Sequence, residues 1–347
     1  VNSAVIDANP SPEADERLTP QQPSVWRERL APYATPSAWR SASDLVTSVV
    51  AYFVVSALMV VALNDVGVWL TLLLAPVSAA FLLRTYILFH DCTHGSFLPS
   101  RTGNIWLGTA LGVVVLTPFI RWRHDHAIHH NTAGDLDKRG IGDVPLLTIA
   151  EYTARSSRAQ REYRMLRNPL VMFGLGPVIA MIIGPRLISR DAPLRMRRSV
   201  LATDAVLVVI FGLLVWTIGW EAVVLVWTPA ALIAGAAGVW LFYVQHNFEG
   251  AYWQRTDGWG YADAALQGSS FLKLPRVLQF ATGNIGFHHV HHLNVRIPNY
   301  NLQRAHEENS VFESVPVLTL ADGLRAVQLK LWDEQRGRMV TFAEAGV

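Results

Sequence analysis

Cysteine is almost missing from this chain. Cys92 stands alone among 347 residues, so no intrachain disulfide can form and the chain cannot supply the several thiolates common in closed zinc sites. A lone thiol fits a reducing compartment. Charge is scarce as well: Asp, Glu, Lys and Arg make up 16% of the residues, against roughly a quarter in an ordinary soluble domain. The formal net charge is only +2, without the basic excess that marks a nucleic-acid binder, so nucleic acid is not an expected partner. Residues 1–42 lack the apolar core of a secretory signal. They are polar, Pro-rich and mixed in charge, which predicts a partly disordered cytoplasmic segment.

What the chain has instead is apolar length: 51% of its residues are hydrophobic and 12 are Trp. A spanning helix needs roughly 20 predominantly apolar residues. Four stretches supply them, at about 44–63, 66–88, 201–219 and 222–245. The links "NDV" and "WE" leave room only for tight turns, which pairs the spans into two hairpins. Neither link carries Lys or Arg. Nearly every basic residue lies before 44, between 121 and 198, or after 254. By the positive-inside rule both turns face outward, and both chain ends are cytoplasmic. The expected fold is an all-α integral membrane protein, with four transmembrane helices in two hairpins and a cytoplasmic helical cap. The membrane domain is expected over 43–320, followed by a cytoplasmic segment at 321–347.

Two shorter apolar runs, 104–119 and 169–185, are interrupted by Gly or Pro. They are read as re-entrant or interfacial, which is tolerable where protein buries the backbone. A full crossing by the first would put neighbouring histidine clusters on opposite sides. The basic stretches "EYTARSSRAQREYRMLR" and "PRLISRDAPLRMRRS" read as helices lying along lipid headgroups.

Those clusters hold ten of the 12 histidines. Residues at i, i+3 and i+4 share a helix face. His90 and His94 therefore stack at the cytoplasmic end of the second span. His126, His129 and His130 share one face, and His288, His291 and His292 share another. His246 stands alone at the end of the fourth span, level with these clusters, and joins them as a ninth candidate. His124, His289 and His306 fall off this spacing and are left out. Nine imidazoles are too many for one ion and divide naturally over two. A neutral imidazole shell suits Zn, Cu, Fe or Ni. Coordination rich in imidazole, with room for further ligands, points to two irons that cycle in oxidation state and bind O2. Asp91, Asp125, Asn131, Asn247 and Asn284 lie inside the motifs and are candidates to orient the rings from behind. Cys92 is read as a small filler between ligands.

The order H-x-x-x-H, H-x-x-H-H, H-x-x-H-H along a four-span chain resembles the integral-membrane fatty acid desaturases, over about residues 40–320. The words "HDCTHGS", "HAIHHNTAGDLDKRGIGD", "VQHNFEGAYW" and "GNIGFHHVHHLNVRIPNY" are similar to the omega-6, or Δ12-type, acyl-lipid branch. That resemblance implies a di-iron cap on a mushroom-shaped bundle, O2 as oxidant, and electrons from a ferredoxin or cytochrome b5. It also implies that His246 is a ligand, since "QHN" stands where the family carries an extra histidine. No H-P-G-G haem motif occurs, so the donor is expected to be a separate protein.

The expected reaction is oxidation of a fatty acyl chain to a cis double bond. The chain would lie in an apolar tunnel between the second and fourth spans, near Trp240, Phe242 and Tyr243. It could be carried on a glycerolipid, a carrier protein or coenzyme A, and the omega-6 resemblance favours an acyl lipid. The expected location is a bacterial inner membrane, among membrane lipids. Tyr252, Trp253 and Trp259 are expected in the interfacial aromatic belt, and the small residues at 234–238 permit close helix approach. The nearest alternative is a related di-iron hydroxylase, ketolase or acetylene-forming enzyme acting on an acyl chain, alkane or carotenoid. A zinc lipid hydrolase would not need nine imidazoles, and a metal transporter would place its ligands at mid-membrane.

Overall fold

A computed structural model describes residues 23–189 and 191–347. Most of the segment expected to be partly disordered, residues 1–22, lies outside the described residues. Its remainder is helical: α1 (Pro23–Leu30) buries Trp26 and Leu30 against the cap.

Four long helices carry the apolar runs: α2 (Ala38–Asp65), α3 (Val68–His94), α8 (Leu194–Ile218) and α9 (Trp220–His246). Each hairpin turns at a glycine with positive φ, Gly67 at +132° and Gly219 at +85°, where a side chain would strain the backbone. α3 and α9 have 27 residues each, about 40 Å of helix against roughly 30 Å of hydrocarbon. Both therefore overshoot the apolar slab, which carries His90, His94 and His246 out at one end. Gly95, at φ +67°, stops α3 directly after His94. The amides of Gly95 and Ser96 bond back to the Cys92 and Asp91 carbonyls at 3.1 Å.

Between the hairpins, α4 (Arg101–Val114) and α5 (Phe119–Thr132) meet at a bend of 102°. Gly112 makes the bend possible, because a Cβ there would stand 2.6 Å from the Thr117 carbonyl oxygen. At its tip Leu116 takes φ +57°, a left-handed conformation costly for a bulky residue. The Arg186 guanidinium holds its carbonyl at 3.2 Å, and Arg186 is itself paired with Asp204 of α8 at 2.8 Å. α5 thus returns towards the end from which α4 starts. α6 (Ser157–Leu166) and the π-wound α7 (Val171–Arg186) are bent by 60°.

Small residues set the packing of α9. Gly238 meets Leu83 of α3, and a Cβ on Gly235 would stand 2.7 Å from Pro177 of α7. Phe89, Leu88, Phe119, Leu111 and Val244 fill the main core, with Cys92 among them. α8 turns outward, with Trp216 82% and Val208 73% exposed, as a lipid-facing surface requires. Where α2 and α3 meet, Arg84 is paired with Asp44 at 2.7 Å, and both are buried.

The cap adds α10 (Tyr261–Gln267), α11 (Arg276–Ala281), α12 (His288–Leu293), α13 (Asn299–Glu307) and α14 (Leu320–Ala326). It also holds short strands that the all-helical expectation did not include. β1 (Leu147–Thr148) runs parallel to β4 (Leu331–Asp333), and β4 pairs antiparallel with β5 (Arg338–Val340). β2 (Phe271–Leu272) runs parallel to β3 (Val317–Leu318). The aromatic residues assigned to a membrane belt do other work. Trp253 is buried in a cap cluster, Trp259 donates to the Ala133 carbonyl at 2.9 Å, and the Tyr252 hydroxyl donates to the Gly258 carbonyl at 3.0 Å.

Candidate metal centre

The two overshooting helices, the returning α5 and the six-residue α12 bring all nine candidate histidines together. They form two groups, each with ligand nitrogens within 4.8 Å of one another: His90, His94, His126, His130 and His291, and His129, His246, His288 and His292. The boxes are split. His126 and His130, four residues apart, stay together, while His129 crosses to the other group. His288 and His292 likewise stay together and His291 crosses. Only His94 is partly exposed; the other eight residues are buried.

The spacing of the nitrogens suits cations. Nε2 to Nε2 separations are 3.3 Å for His90 and His94, 3.0 Å for His126 and His130, 3.1 Å for His130 and His291, and 3.0 Å for His246 and His288. Ligand nitrogens about 2.1 Å from a metal stand about 3.0–3.4 Å apart in octahedral or tetrahedral shells. His129 and His292 each bury an Nε2 that has no hydrogen-bond partner, an orphaned lone pair of the kind a metal would satisfy. Burial first, and then the neighbouring rings, hold His288, His291 and His292 well below the usual imidazole pKa. The rings are thereby kept neutral, the form that binds metal.

Three groups fix rings from behind. Asp91 meets His90 Nδ1 at 3.2 Å, Asp143 meets His129 Nδ1 at 2.6 Å, and the Gly268 carbonyl accepts from His246 Nδ1 at 3.1 Å. Burial raises the Asp143 pKa, but His129 outweighs it and holds the carboxyl below its usual range. Asp91 is itself held by Asn299, whose backbone and side-chain N–H groups donate to its second oxygen at 2.7 and 3.0 Å.

Of the five polar candidates from the sequence, only Asp91 touches a ring of the two groups. Asp125 pairs with Arg121 and with the exposed His124. Asn131 and Asn247 donate to carbonyls of their own helices, and Asn284 donates to the Asn299 carbonyl. Asp143, Asn299 and Gly268 escaped the sequence reading. The only signal for the first two was their place inside the quoted words "RGIGD" and "RIPNY". His289 and His306 pair with each other at 2.9 Å, outside both groups.

An apolar cavity of about 160 Å³ lies on the membrane side of the centre, lined by Leu83, Tyr86, Leu116, Met181, Ala231 and Gly235 among others. It lies deeper than the expected tunnel. Trp240 donates to the Gly323 carbonyl, and Tyr243 is buried against Arg167 and Leu329; Phe242 alone of the three faces the centre, 4.9 Å from the His129 ring. Tyr86 meets Trp122 edge-on at 5.7 Å, and Trp122 stacks on His126 at 4.2 Å. Two aromatic rings thus stand between the cavity and the five-ring group.

The family model described as fatty acid desaturase matches residues 67–314, which contain all nine histidines. A protein named "Fatty acid desaturase" from Bacillus subtilis is 42% identical over 315 residues, covering 91% of this chain and 89% of its own. Two proteins of Synechocystis sp. are each 27% identical. The "sn-1 acyl-lipid omega-3 desaturase (ferredoxin)" aligns with 64% of this chain and 62% of its own length. The "sn-1 oleoyl-lipid 12-desaturase" aligns with 65% and 64%.

Proposed function

Because the chain belongs to the fatty acid desaturase family, we propose that it is an O2-dependent di-iron enzyme placing a cis double bond in the acyl chain of a membrane lipid, at the Δ12 or omega-6 position. The observation that carries this reading is the convergence of nine imidazoles as five plus four at one end of the spanning helices. Bound iron supplies activation of O2 and removal of hydrogen from an unactivated methylene, chemistry that no side chain provides.

The protein's own contribution is placement. Asp91, Asp143 and the Gly268 carbonyl fix the tautomer and tilt of three rings. The apolar cavity between α3, α9 and the tips of the inserted segments takes the acyl chain, and Tyr86 and Trp122 set how near it comes to His126. The distribution of basic residues supports an orientation, within a bacterial inner membrane, that has the centre and both termini in the cytoplasm. The position of the new bond rests on motif wording, since the omega-3 and the 12-desaturase relatives stand at the same identity. The relative named for ferredoxin supports a ferredoxin-type donor.

Expression in a host with simple saturated and monounsaturated lipids, followed by gas chromatography–mass spectrometry of its fatty acids, tests the reading together with metal analysis. New cis double bonds and about two irons per chain are expected. A hydroxylated product would redirect the assignment, and a single zinc would end it.

A further inference from the structure

A polar basin of about 510 Å³ and the apolar cavity share no residue, and they take opposite faces of α3. Leu83 and Tyr86 line the cavity, whereas Arg84 lines the basin. The start of α2 adds Arg40, Ser43 and Asp44 to the basin, and α11 adds Arg276 and Phe280. The basin sits where lipid headgroups lie. Arg84 precedes His90 by six residues, about 9 Å along the helix towards the bilayer. Trp39, at the lip, is 81% exposed, a residue type enriched at that depth. Trp39, Ser43, Val46 and Val50 follow one face of α2 at helical spacing. Val46 and Val50 are exposed, so an apolar strip leads from the basin along the spanning helix.

Charge in the basin is unbalanced. Among the described residues lining it, three guanidiniums face one carboxylate, and Asp44 is already paired with Arg84 at 2.7 Å. Neither Arg40 nor Arg276 is in an ion pair among the described residues. Arg40 bonds neutral partners, the Asn301 side-chain oxygen at 2.6 Å and the Tyr300 carbonyl. Arg84 is 5% exposed, donates to the Phe280 carbonyl at 2.5 Å and lies 4.0 Å over the Phe280 ring. Its Nε–H nevertheless has no partner, and neither has Asp44 Oδ2. A buried donor and a buried acceptor left open in one ion pair call for a group that can both accept and donate, as a hydroxyl does.

We infer that this basin holds the headgroup of an anionic phospholipid that carries a hydroxyl, of the phosphatidylglycerol type. Its phosphate lies between Arg40 and Arg276, its hydroxyl closes the open pair of Arg84 and Asp44, and its chains follow the exposed strip of α2. Arginine suits the phosphate because its fork of N–H groups matches the oxygens. This lipid is not the substrate, since α3 stands between it and the acyl cavity. It ties the first span to α11 of the cap. A soluble phosphate ester would leave the strip of α2 uncovered, so the lipid is the favoured occupant. The site requires only that α2 and α3 cross a membrane, and it stands independently of the reaction proposed above.

The test places the full chain in phosphatidylcholine nanodiscs with a graded fraction of phosphatidylglycerol. It reads the melting temperature there and, after release, the lipid retained per chain by native mass spectrometry. The wild type should keep about one phosphatidylglycerol and melt a few degrees higher as that lipid is added. Arg276→Glu and Ser43→Glu change exposed side chains on two walls of the basin. Each should weaken the apparent affinity about tenfold or more, and Arg276→Gln by less. Arg195→Glu, an exposed charge on the other hairpin, should leave it unchanged. Phosphatidylmethanol, which has the phosphate charge and no headgroup hydroxyl, should bind more weakly than phosphatidylglycerol. Equal retention by wild type, Arg276→Glu and Ser43→Glu would overturn the inference. So would an equal loss in Arg195→Glu, or phosphatidylmethanol binding as tightly. A rise in melting temperature as large with glycerol 3-phosphate alone would replace the lipid with a soluble anion and overturn it too.

Discussion

Replacing Asp143 with alanine should weaken metal binding in the four-imidazole group while sparing the other. The carboxylate holds His129 Nδ1 at 2.6 Å, with side chains only 8% and 1% exposed, so no water replaces it readily. Removing such a partner typically costs 10–100-fold in metal affinity, about 1.4–2.7 kcal/mol. The upper end is expected here. The other Asp143 oxygen accepts from the Gly140 amide, and the loop packs so tightly that a Cβ on Gly142 would stand 3.1 Å from His129 Cβ. Loss of the carboxylate therefore frees both the ring and the loop over it. The five-imidazole group takes its rings from α3, α5 and α12 without Asp143 and should keep its affinity. The assay is retained iron per chain after dialysis of purified protein against graded chelator. The wild type should hold both irons across a range in which the variant holds one, with the second lost at about one to two decades less chelator. Asp143→Asn, which keeps an acceptor oxygen, should fall nearer the tenfold end. If Asp143→Ala keeps both irons at the wild-type chelator midpoint, the reasoning fails.

Other expectations follow from the same geometry. His246→Ala should lose iron from the four-ring group and His94→Ala from the five-ring group. Both should abolish product while the protein stays in the membrane fraction; fatty acid analysis and iron content check this. Asp44→Ala removes the carboxylate that pairs with the buried Arg84 guanidinium and should cost about 3–5 kcal/mol, seen as a lower melting temperature in detergent. The double change Asp44→Leu, Arg84→Met should recover much of the loss. Burial, and then Arg167, lower the Lys330 pKa to about 8 from 10.5. The unfolded chain therefore binds more protons than the folded one between those values, and stability from this group rises as pH climbs through that window, by at most about 3 kcal/mol. Comparing the pH dependence of melting with that of Lys330→Met isolates the effect, and identical curves would refute it.

The helical hairpins were legible because long apolar runs and tight links leave few alternatives. The histidine boxes were legible because i, i+4 spacing survives in any helix. The sharing of each box between two groups was not. His126, His129 and His130 share a face, and only the placing of α12 and α9 against α5 decides which nitrogen meets which neighbour. Asp143 lies 14 residues from His129 across a loop with no periodicity, and Gly268 acts through its backbone, which no residue type announces. Asn131, Asn247 and Asp125 were drawn in by sequence proximity, yet their side chains bond within their own helices or turn to His124. The cap strands are two or three residues long, too short for alternation to register.

The division of each histidine triplet between both groups has a consequence for how the enzyme is made. The ribosome delivers His90 and His94 early, and the last triplet only after both hairpins have been inserted. Until then one cradle lacks His291 and the other lacks His288 and His292, so an unfinished chain owns no complete one. Both histidine groups are thereby completed together, when the last helices of the cap take their place.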